Sequence, residues 1–205
     1  MLWKADINYV TILGQKLWHA TFNIGKKMKS FDPTFKKIHY ACGSVFMNDW
    51  LNVDCSLKIG HRYPYLCIDL VAAHPFPDNF FEYGFAEDFL EHLSQADSLI
   101  FLGEVYRTFK KGGVLRLSFP GLEGVLIKHY RPSDYGGTLA GKNEAYTRWG
   151  HLHFYSKEEL LLVCKHIGFE KVEFQEYGKS QHKVLENLEH RSDQIGLNIY
   201  AEITK

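Results

Sequence analysis

The amino-acid sequence predicts an α/β fold with a mostly parallel sheet and an antiparallel last strand. Three observations support this prediction. Short apolar segments alternate with helical segments in the middle of the chain, several of them end in an acidic residue or a glycine, and the last two have no helical segment between them. Strands that alternate with helices are typical of βαβ units in a parallel sheet. Two strands joined without a helix are typical of an antiparallel pair.

Short apolar segments with strand-like composition recur along the chain. The predicted strands cover residues 38–41, 50–53, 65–68, 80–85, 114–119, 171–174 and 195–203. The last of them alternates apolar and polar residues, as expected for a half-buried strand. The connections between the first three are short, so we expect little regular helix there.

Helical patterns lie before, between and after these strands. Residues 9–27 carry apolar side chains on one predicted helix face, and Asp32-Pro33 then interrupts the chain. After residue 88 we predict a helical run and then a second helix that ends at Gly112-Gly113. Residues 120–153 are predicted to be irregular. Ser156 is predicted to cap a last helix that ends near Gly168.

These elements predict two parts of the chain. We expect a helical N-terminal extension over residues 1–36 and a single domain over residues 37–205, with an inserted loop region at about 121–155. The extension could pack on its own domain, which is the simplest interpretation. It could also cover an active site, lie on a membrane or form a homodimer with a second copy of the chain.

The composition restricts the classes of function that we expect. The chain has 24 basic and 24 acidic residues, so its balance gives no indication of nucleic-acid binding. Its 4 cysteines lack the spacing of zinc ligands and indicate free thiols in a reducing compartment. A signal peptide and a transmembrane segment are not recognisable, so we expect a cytoplasmic protein.

Candidate ligand-binding residues follow the first three predicted strands, where ligands bind in open α/β sheets. Gly43 follows the first strand and would let the backbone approach a ligand closely. Asp54 ends the second strand, where a carboxylate can accept both hydroxyls of a ribose. Asp69 ends the third, within reach of an adenine amino group. Both aspartates could equally be turn residues.

A second group of candidates consists of acids and histidines. Glu87, Asp88 and Glu91 follow the fourth strand, although acids also favour the start of a helix. His151 and His153 are two positions apart in an extended stretch and are predicted to share one side. They could form hydrogen bonds, act as a general base or be ordinary loop residues. Two histidines alone do not make a zinc site, so we expect no metal.

Four blocks of sequence carry a resemblance to a known family. They are IHYACG at residues 38–43, DWLNVD at 49–54, HPFPDNFFE with AEDFLEHL at 74–82 and 86–93, and EVYRTFKKGGVLRLSFPGL at 104–122. In combination they resemble class I S-adenosylmethionine-dependent methyltransferases, in particular small bacterial predicted methyltransferases. The phosphate-binding glycine motifs of nucleotide and dinucleotide enzymes are missing from the chain. S-adenosylmethionine has no phosphate and does not require them.

The resemblance implies a Rossmann-like class I methyltransferase fold: a mostly parallel seven-stranded sheet with an antiparallel last strand and helices on both faces. It implies S-adenosylmethionine as the cofactor. The residues expected to bind it are Ala41, Cys42, Gly43, Asp54, Asp69, Leu70 and Glu87. The expected catalytic residues are Asp88, His151 and His153, since a base is needed when the acceptor must lose a proton.

The sequence departs from the family pattern at three positions. Ala41 replaces the usual first glycine, Asp88 stands where histidine is common, and Lys111 replaces a proline. The first two departures favour a catalytically inactive protein of the same fold that serves in binding or assembly. Asp54 and the block around residues 104–122 favour an active methyltransferase of an unidentified small molecule or sugar. The missing glycines disfavour a nicotinamide-dependent reductase.

Overall fold

A seven-stranded sheet forms the centre of the protein. The computed structural model describes residues 32–56, 62–129 and 134–205. Its strands are β1 (Lys37–Tyr40), β2 (Leu51–Asp54), β3 (Tyr65–Cys67), β4 (Phe81–Glu87), β5 (Phe109–Pro120), β6 (Lys171–Phe174) and β7 (Asn198–Thr204). The spatial order is β3-β2-β1-β4-β5-β7-β6. Only the pairings of β7 with β5 and β6 are antiparallel among the described strands, so the predicted sheet with an antiparallel last strand is confirmed.

Four α-helices connect or flank the strands in the described ranges. They are α1 (Gln95–Thr108), α2 (Leu122–His129), α3 (Tyr135–Lys142) and α4 (Lys157–Ile167). A π-helical segment, Asn143–Arg148, continues α3. The prediction for α4 is confirmed at both ends. The Ser156 side chain accepts a hydrogen bond from the Glu159 N–H, and Gly168 ends the helix with a φ of 114°.

The predicted helix end at Gly112-Gly113 is wrong. Helix α1 already ends at Thr108, and Phe109 begins β5 by pairing with Phe81 of β4. Gly112 has a φ of 76°, and its N–H donates to the carbonyl of Lys205 at 2.6 Å. The two glycines therefore bend the start of a strand. The helical run predicted after residue 88 is reduced to one 3₁₀ turn, Leu90–His92.

The prediction that residues 120–153 are irregular is also wrong, because they contain α2, α3 and the π-helical segment. The glycines of this region suggested loops. Instead, they allow close packing of backbone. A Cβ at Gly124 would lie 2.2 Å from the carbonyl oxygen of Leu197, and one at Gly141 would lie 2.1 Å from that of His129. Sequence cannot distinguish these two uses of glycine.

The two faces of the sheet are covered differently. His39 and Tyr40 are neighbours in β1 and therefore point to opposite faces. Tyr40 packs edge-on against Phe101 of α1, with 5.1 Å between ring centroids. His39 stacks on Phe85, which belongs to a buried cluster with Leu185. Helix α1 thus covers one face, and the segment between β6 and β7 covers the other.

Residues 33–205 form one compact unit. The helix predicted at residues 9–27, and with it the predicted homodimer contact, lies outside the described residues. In the part of the chain that the structure describes, we find no helix long and apolar enough to cross a membrane.

Candidate functional site

The loop after β1 and the end of β2 are joined through the carboxylate of Asp54. The Gly43 N–H donates to Asp54 Oδ2 at 2.8 Å. Asp54 Oδ1 accepts hydrogen bonds from the backbone N–H and the hydroxyl of Ser56, at 3.0 and 2.9 Å. The Cys42 N–H donates to the Val53 carbonyl at 3.1 Å. These bonds fix a partly exposed carboxylate at the carboxyl edge of the sheet, beside the loop.

The backbone of this loop is left-handed at two positions. Ala41 has a φ of 49° and Gly43 a φ of 52°. A Cβ at Gly43 would meet no atom within 4 Å, so open space lies beside the loop where a ligand can approach. Ala41 adopts a conformation that costs an L-residue about 1–2 kcal/mol, which gives a physical reason for the glycine that is usual there.

The turn after β3 contains Asp69 and Leu70. Asp69 Oδ1 accepts a hydrogen bond from the Val71 N–H at 3.0 Å, so this carboxylate shapes its own turn. Leu70 is buried, and its carbonyl lies 3.1 Å from His74 Nε2. Asp69 remains partly exposed at the same edge of the sheet as Asp54.

The end of β4 is connected to the segment that precedes β7. Both carboxylate oxygens of Glu87 accept the His190 N–H, at 3.0 and 3.1 Å. Asp88 Oδ2 lies 3.0 Å from Nη1 of Arg191, and the φ of Asp88 is 49°. Burial raises the pKa of Asp88, and the positive charge of Arg191 acts in the opposite direction. Sequence analysis missed His190 and Arg191, since nothing in their local pattern links them to residues about 100 positions earlier.

A cavity of about 410 Å³ begins one residue beyond Glu87. It is lined by residues from the end of β4, helix α2, the π-helical segment and the turn before β7. Its charged and histidine lining includes Asp88, Glu91, His92, Lys128, Arg148, His151 and Arg191. The cavity therefore adjoins the carboxyl end of β4, where Glu87 lies.

Glu91 is the most deeply buried acid of this cavity. Its side chain is 1% exposed, and neither carboxylate oxygen has a hydrogen-bond partner among the described residues. Burial and the nearby negative charge of Asp88 raise the pKa of Glu91 well above its ordinary value. Nε2 of His92 lies 3.8 Å from Oε1 of Glu91, and Nε2 of His151 lies 4.0 Å from the same oxygen. Both distances are too long for hydrogen bonds.

The structure separates the two histidines that were expected to share one side. His151 lines the cavity, and burial, with a smaller contribution from His92, lowers its pKa to about 4. His153 does not line it; its Nε2 lies 2.9 Å from Oε1 of Glu159 instead. The N–H groups of residues 152 and 153 both donate to the carbonyl of Glu91. The stretch is therefore fixed to the 3₁₀ turn by its backbone.

Comparison with known proteins supports the resemblance. Residues 38–117 match the family model described as a methyltransferase domain. The matched range contains Gly43, Asp54, Asp69, Glu87 and Glu91. A search of curated proteins finds no significant match.

Solved structures share the fold over nearly the whole chain. A SAM-dependent methyltransferase from Archaeoglobus fulgidus is 14% identical, with 93% of this chain and 94% of that chain covered and a TM-score of 0.55. A Haloferax volcanii complex of the Trm112 methyltransferase activator with a putative methyltransferase gives 13% identity and a TM-score of 0.56. The match covers 96% of this chain and 93% of that chain. Phosphoethanolamine N-methyltransferase 2 of Haemonchus contortus, in complex with S-adenosyl-L-methionine, is 14% identical. The match covers 94% of this chain and 52% of that chain, with a TM-score of 0.51.

The chain therefore has the fold shared by class I S-adenosylmethionine-dependent methyltransferases, and its residues 38–117 match a methyltransferase domain. Two features of the chain bear on its function: Ala41 in the loop after β1, and a cavity whose deepest acid, Glu91, faces two histidines.

Proposed function

We propose that the protein transfers a methyl group from S-adenosylmethionine to a polar small molecule bound in the cavity described above. The observation that carries this proposal is the position of the cavity, which begins at Asp88, directly after the strand that ends in Glu87. A volume of about 410 Å³ is within the ordinary range of small-molecule sites.

The cofactor would lie along the carboxyl ends of β1 to β4. Asp54 would accept the ribose hydroxyls, because Gly43 and Ser56 already hold its carboxylate in one orientation. Asp69 and Leu70 would border the adenine, and Glu87 would border the amino-acid part of the cofactor. The open space beside Gly43 and the backbone at Ala41 and Cys42 fit a ligand without phosphate groups.

S-adenosylmethionine supplies an electrophilic methyl group on a sulfonium. In the transfer, a lone pair of the acceptor would form a bond to this methyl carbon, and the electrons of the broken carbon–sulfur bond would remain on sulfur. The chain contributes alignment of the two reactants, which accounts for most of the catalysis in such a displacement. Asp88 and His151 line the cavity and would receive the proton of a hydroxyl acceptor. His153, paired with Glu159, would act from outside the cavity, by positioning the loop.

The charges of the cavity favour a polar or zwitterionic acceptor. Lys128, Arg148 and Arg191 contribute positive charge, and Asp88, Glu144 and Asp193 contribute negative charge. A purely apolar molecule would remove water from these charges without replacing its hydrogen bonds, at a cost in binding free energy. Small polar metabolites and sugars are therefore the class of acceptor that we propose.

Calorimetric titration with S-adenosylmethionine tests the cofactor part of the proposal. We expect wild-type protein to bind, and Asp54→Asn to bind at least tenfold more weakly because the loss of charge weakens the bonds to both ribose hydroxyls. Glu82→Gln is the matched control, since Glu82 lies at the opposite end of β4 from Glu87 and pairs with Lys110 on the surface. Absence of binding by the folded wild-type protein at millimolar cofactor would overturn the proposal.

A further inference from the structure

Buried polar atoms without partners are concentrated around the cavity. Among the described residues, they include both carboxylate oxygens of Glu91, Nδ1 of His151 and Oδ1 of Asp88. A buried polar atom without a hydrogen bond costs roughly 1–3 kcal/mol, so natural proteins keep few of them without a reason. Glu91 is the described side chain with two such atoms, and a bound cation would satisfy its carboxylate.

The geometry points to a metal ion. One ligand atom from each of Glu91, His92 and His151 can be chosen such that all three lie within 4.8 Å of one another. Around an ion with bonds of about 2.1 Å, neighbouring ligand atoms of a tetrahedral site are about 3.4 Å apart. The observed separations of 3.8 and 4.0 Å from Glu91 Oε1 to the two imidazoles are close to this value. Small side-chain rotations would close the difference.

The backbone holds these three side chains together. Glu91 and His92 belong to the 3₁₀ turn Leu90–His92. The carbonyl of Glu91 accepts hydrogen bonds from the N–H groups of residues 152 and 153. The His151 N–H donates to the Tyr146 carbonyl at 3.1 Å. The rings of His92 and His151 lie 4.9 Å apart between centroids, inclined by 72°. These backbone hydrogen bonds hold the turn with Glu91 and His92 against the loop with His151.

The type of ligand selects the type of metal. Two imidazoles and one carboxylate suit divalent transition metals such as zinc and iron, whereas magnesium and calcium prefer oxygen ligands alone. Three protein ligands leave at least one coordination position open. Exposure falls from 41% at His92 to 12% at His151 and 1% at Glu91, so the site is reached from the cavity and its rim.

We propose that Glu91, His92 and His151 bind a divalent transition-metal ion whose open position faces the acceptor cavity. The ion would bind an oxygen or nitrogen of the acceptor and hold it in place. Asp88 would then be the base for a hydroxyl acceptor, because a neutral imidazole has one acceptor nitrogen and that of His151 would be bound to the ion. Metal binding itself does not depend on methyl transfer. Its use in holding the acceptor rests on the proposed function, because the cavity is the acceptor site only if that proposal is correct.

Cobalt(II) titration of the metal-free full-length protein, followed by visible absorption, tests the site. We expect one equivalent to bind with weak d–d bands and without the strong near-ultraviolet band of thiolate ligation. His151→Ala and Glu91→Gln should each weaken binding by at least tenfold, because each removes one ligand. Glu91→Gln keeps the size of the side chain, and circular dichroism would establish that both variants are folded.

Two controls make the result decisive. His166→Ala removes an exposed histidine of α4 that does not line the cavity, so it should bind cobalt as tightly as wild type does. Cys55→Ser with Cys67→Ser removes the two cysteines that are not buried, and it should also bind as wild type does. The proposal is overturned if folded His151→Ala binds cobalt as wild type does, or if the cysteine variant abolishes binding.

A second titration separates this proposal from the proposed function. Wild-type protein that binds S-adenosylmethionine but no cobalt or zinc would overturn the metal site alone. Protein that binds cobalt through His151 but no S-adenosylmethionine would leave the metal site established and overturn the methyltransferase proposal. Zinc should also raise the melting temperature of wild type and leave that of Glu91→Gln unchanged.

Discussion

Arg116 and Glu189 form a fully buried ion pair that joins β5 to the segment between β6 and β7. Nη2 of Arg116 lies 2.6 Å from Oε1 of Glu189, and both side chains are 0% exposed. The same guanidinium lies 3.2 Å from Glu202 of β7 and donates to the carbonyls of Glu176 and Lys179. This segment continues into His190 and Arg191, which contact Glu87 and Asp88. The buried pair therefore fixes the part of the chain that borders the candidate site.

Removal of the guanidinium should destabilise the protein strongly. Arg116→Met would leave the carboxylates of Glu189 and Glu202 buried without their partner, and we expect the free energy of unfolding to fall by roughly 3–5 kcal/mol. Urea denaturation followed by circular dichroism measures this change. Lys110→Met is the matched control, because the Lys110–Glu82 pair is about 40% exposed and should contribute less than about 1 kcal/mol. Similar losses in both variants would contradict the structural role assigned to Arg116.

Replacement by alanine should change the stability of the protein in opposite directions at two glycines. Gly103 lies within α1, and a Cβ there would meet no atom within 4 Å, so Gly103→Ala should stabilise the protein by about 0.5–1 kcal/mol. Gly124 lies in α2, where a Cβ would come within 2.2 Å of the Leu197 carbonyl oxygen. Gly124→Ala should destabilise by about 1–3 kcal/mol because α2 must move away from the backbone of Leu197, which directly precedes β7. Thermal unfolding of both variants checks the difference in sign.

The stability of the protein should fall in mild acid because of His39. Burial lowers the pKa of His39 to about 4 from an ordinary value of 6.5, while a hydrogen bond with Asn52 acts in the opposite direction. The unfolded chain therefore binds this proton at a higher pH than the folded one, and stability decreases as the pH falls from about 6.5 towards 4. The loss due to this group is at most about 3 kcal/mol.

The variant His39→Gln tests this origin. Glutamine does not titrate in this range, so the free energy of unfolding of the variant should decrease less steeply than that of wild type between pH 6.5 and pH 4. Denaturation curves at several pH values give both slopes. Parallel slopes would mean that the acid sensitivity arises from other groups.

A reciprocal pair of substitutions tests the loop after β1. Ala41→Gly relieves the left-handed backbone, whose cost is about 1–2 kcal/mol, but adds the conformational entropy of glycine, so we expect a gain between zero and about 1 kcal/mol. Gly43→Ala introduces the same strain and should cost about 1–2 kcal/mol. If the cofactor lies over this loop, Ala41→Gly should also strengthen S-adenosylmethionine binding, and Gly43→Ala should weaken it. Calorimetry and thermal unfolding of the two variants measure both effects.

The sequence by itself determined the order and type of most elements. Apolar segments with short polar connections predicted the strands, and the missing helix before β7 predicted the antiparallel pair, because these features depend on neighbouring residues. The positions of Gly43, Asp54 and Asp69 at strand ends followed from the same local pattern. The prediction of an irregular segment at residues 120–153 was wrong, because Gly124 and Gly141 allow close backbone packing there. Glycine has the same local signature in a loop and at such a contact.

Tertiary structure alone decided which polar residues meet. Glu91 and His151 are 60 positions apart in the chain, and the partners of Glu87 and Asp88 lie about 100 positions beyond them. Side-chain spacing predicted that His151 and His153 would share one side, whereas the structure places His151 beside Glu91 and His92 and pairs His153 with Glu159. Contacts between distant segments depend on how helices and loops pack on the sheet, and local periodicity carries no information about that packing.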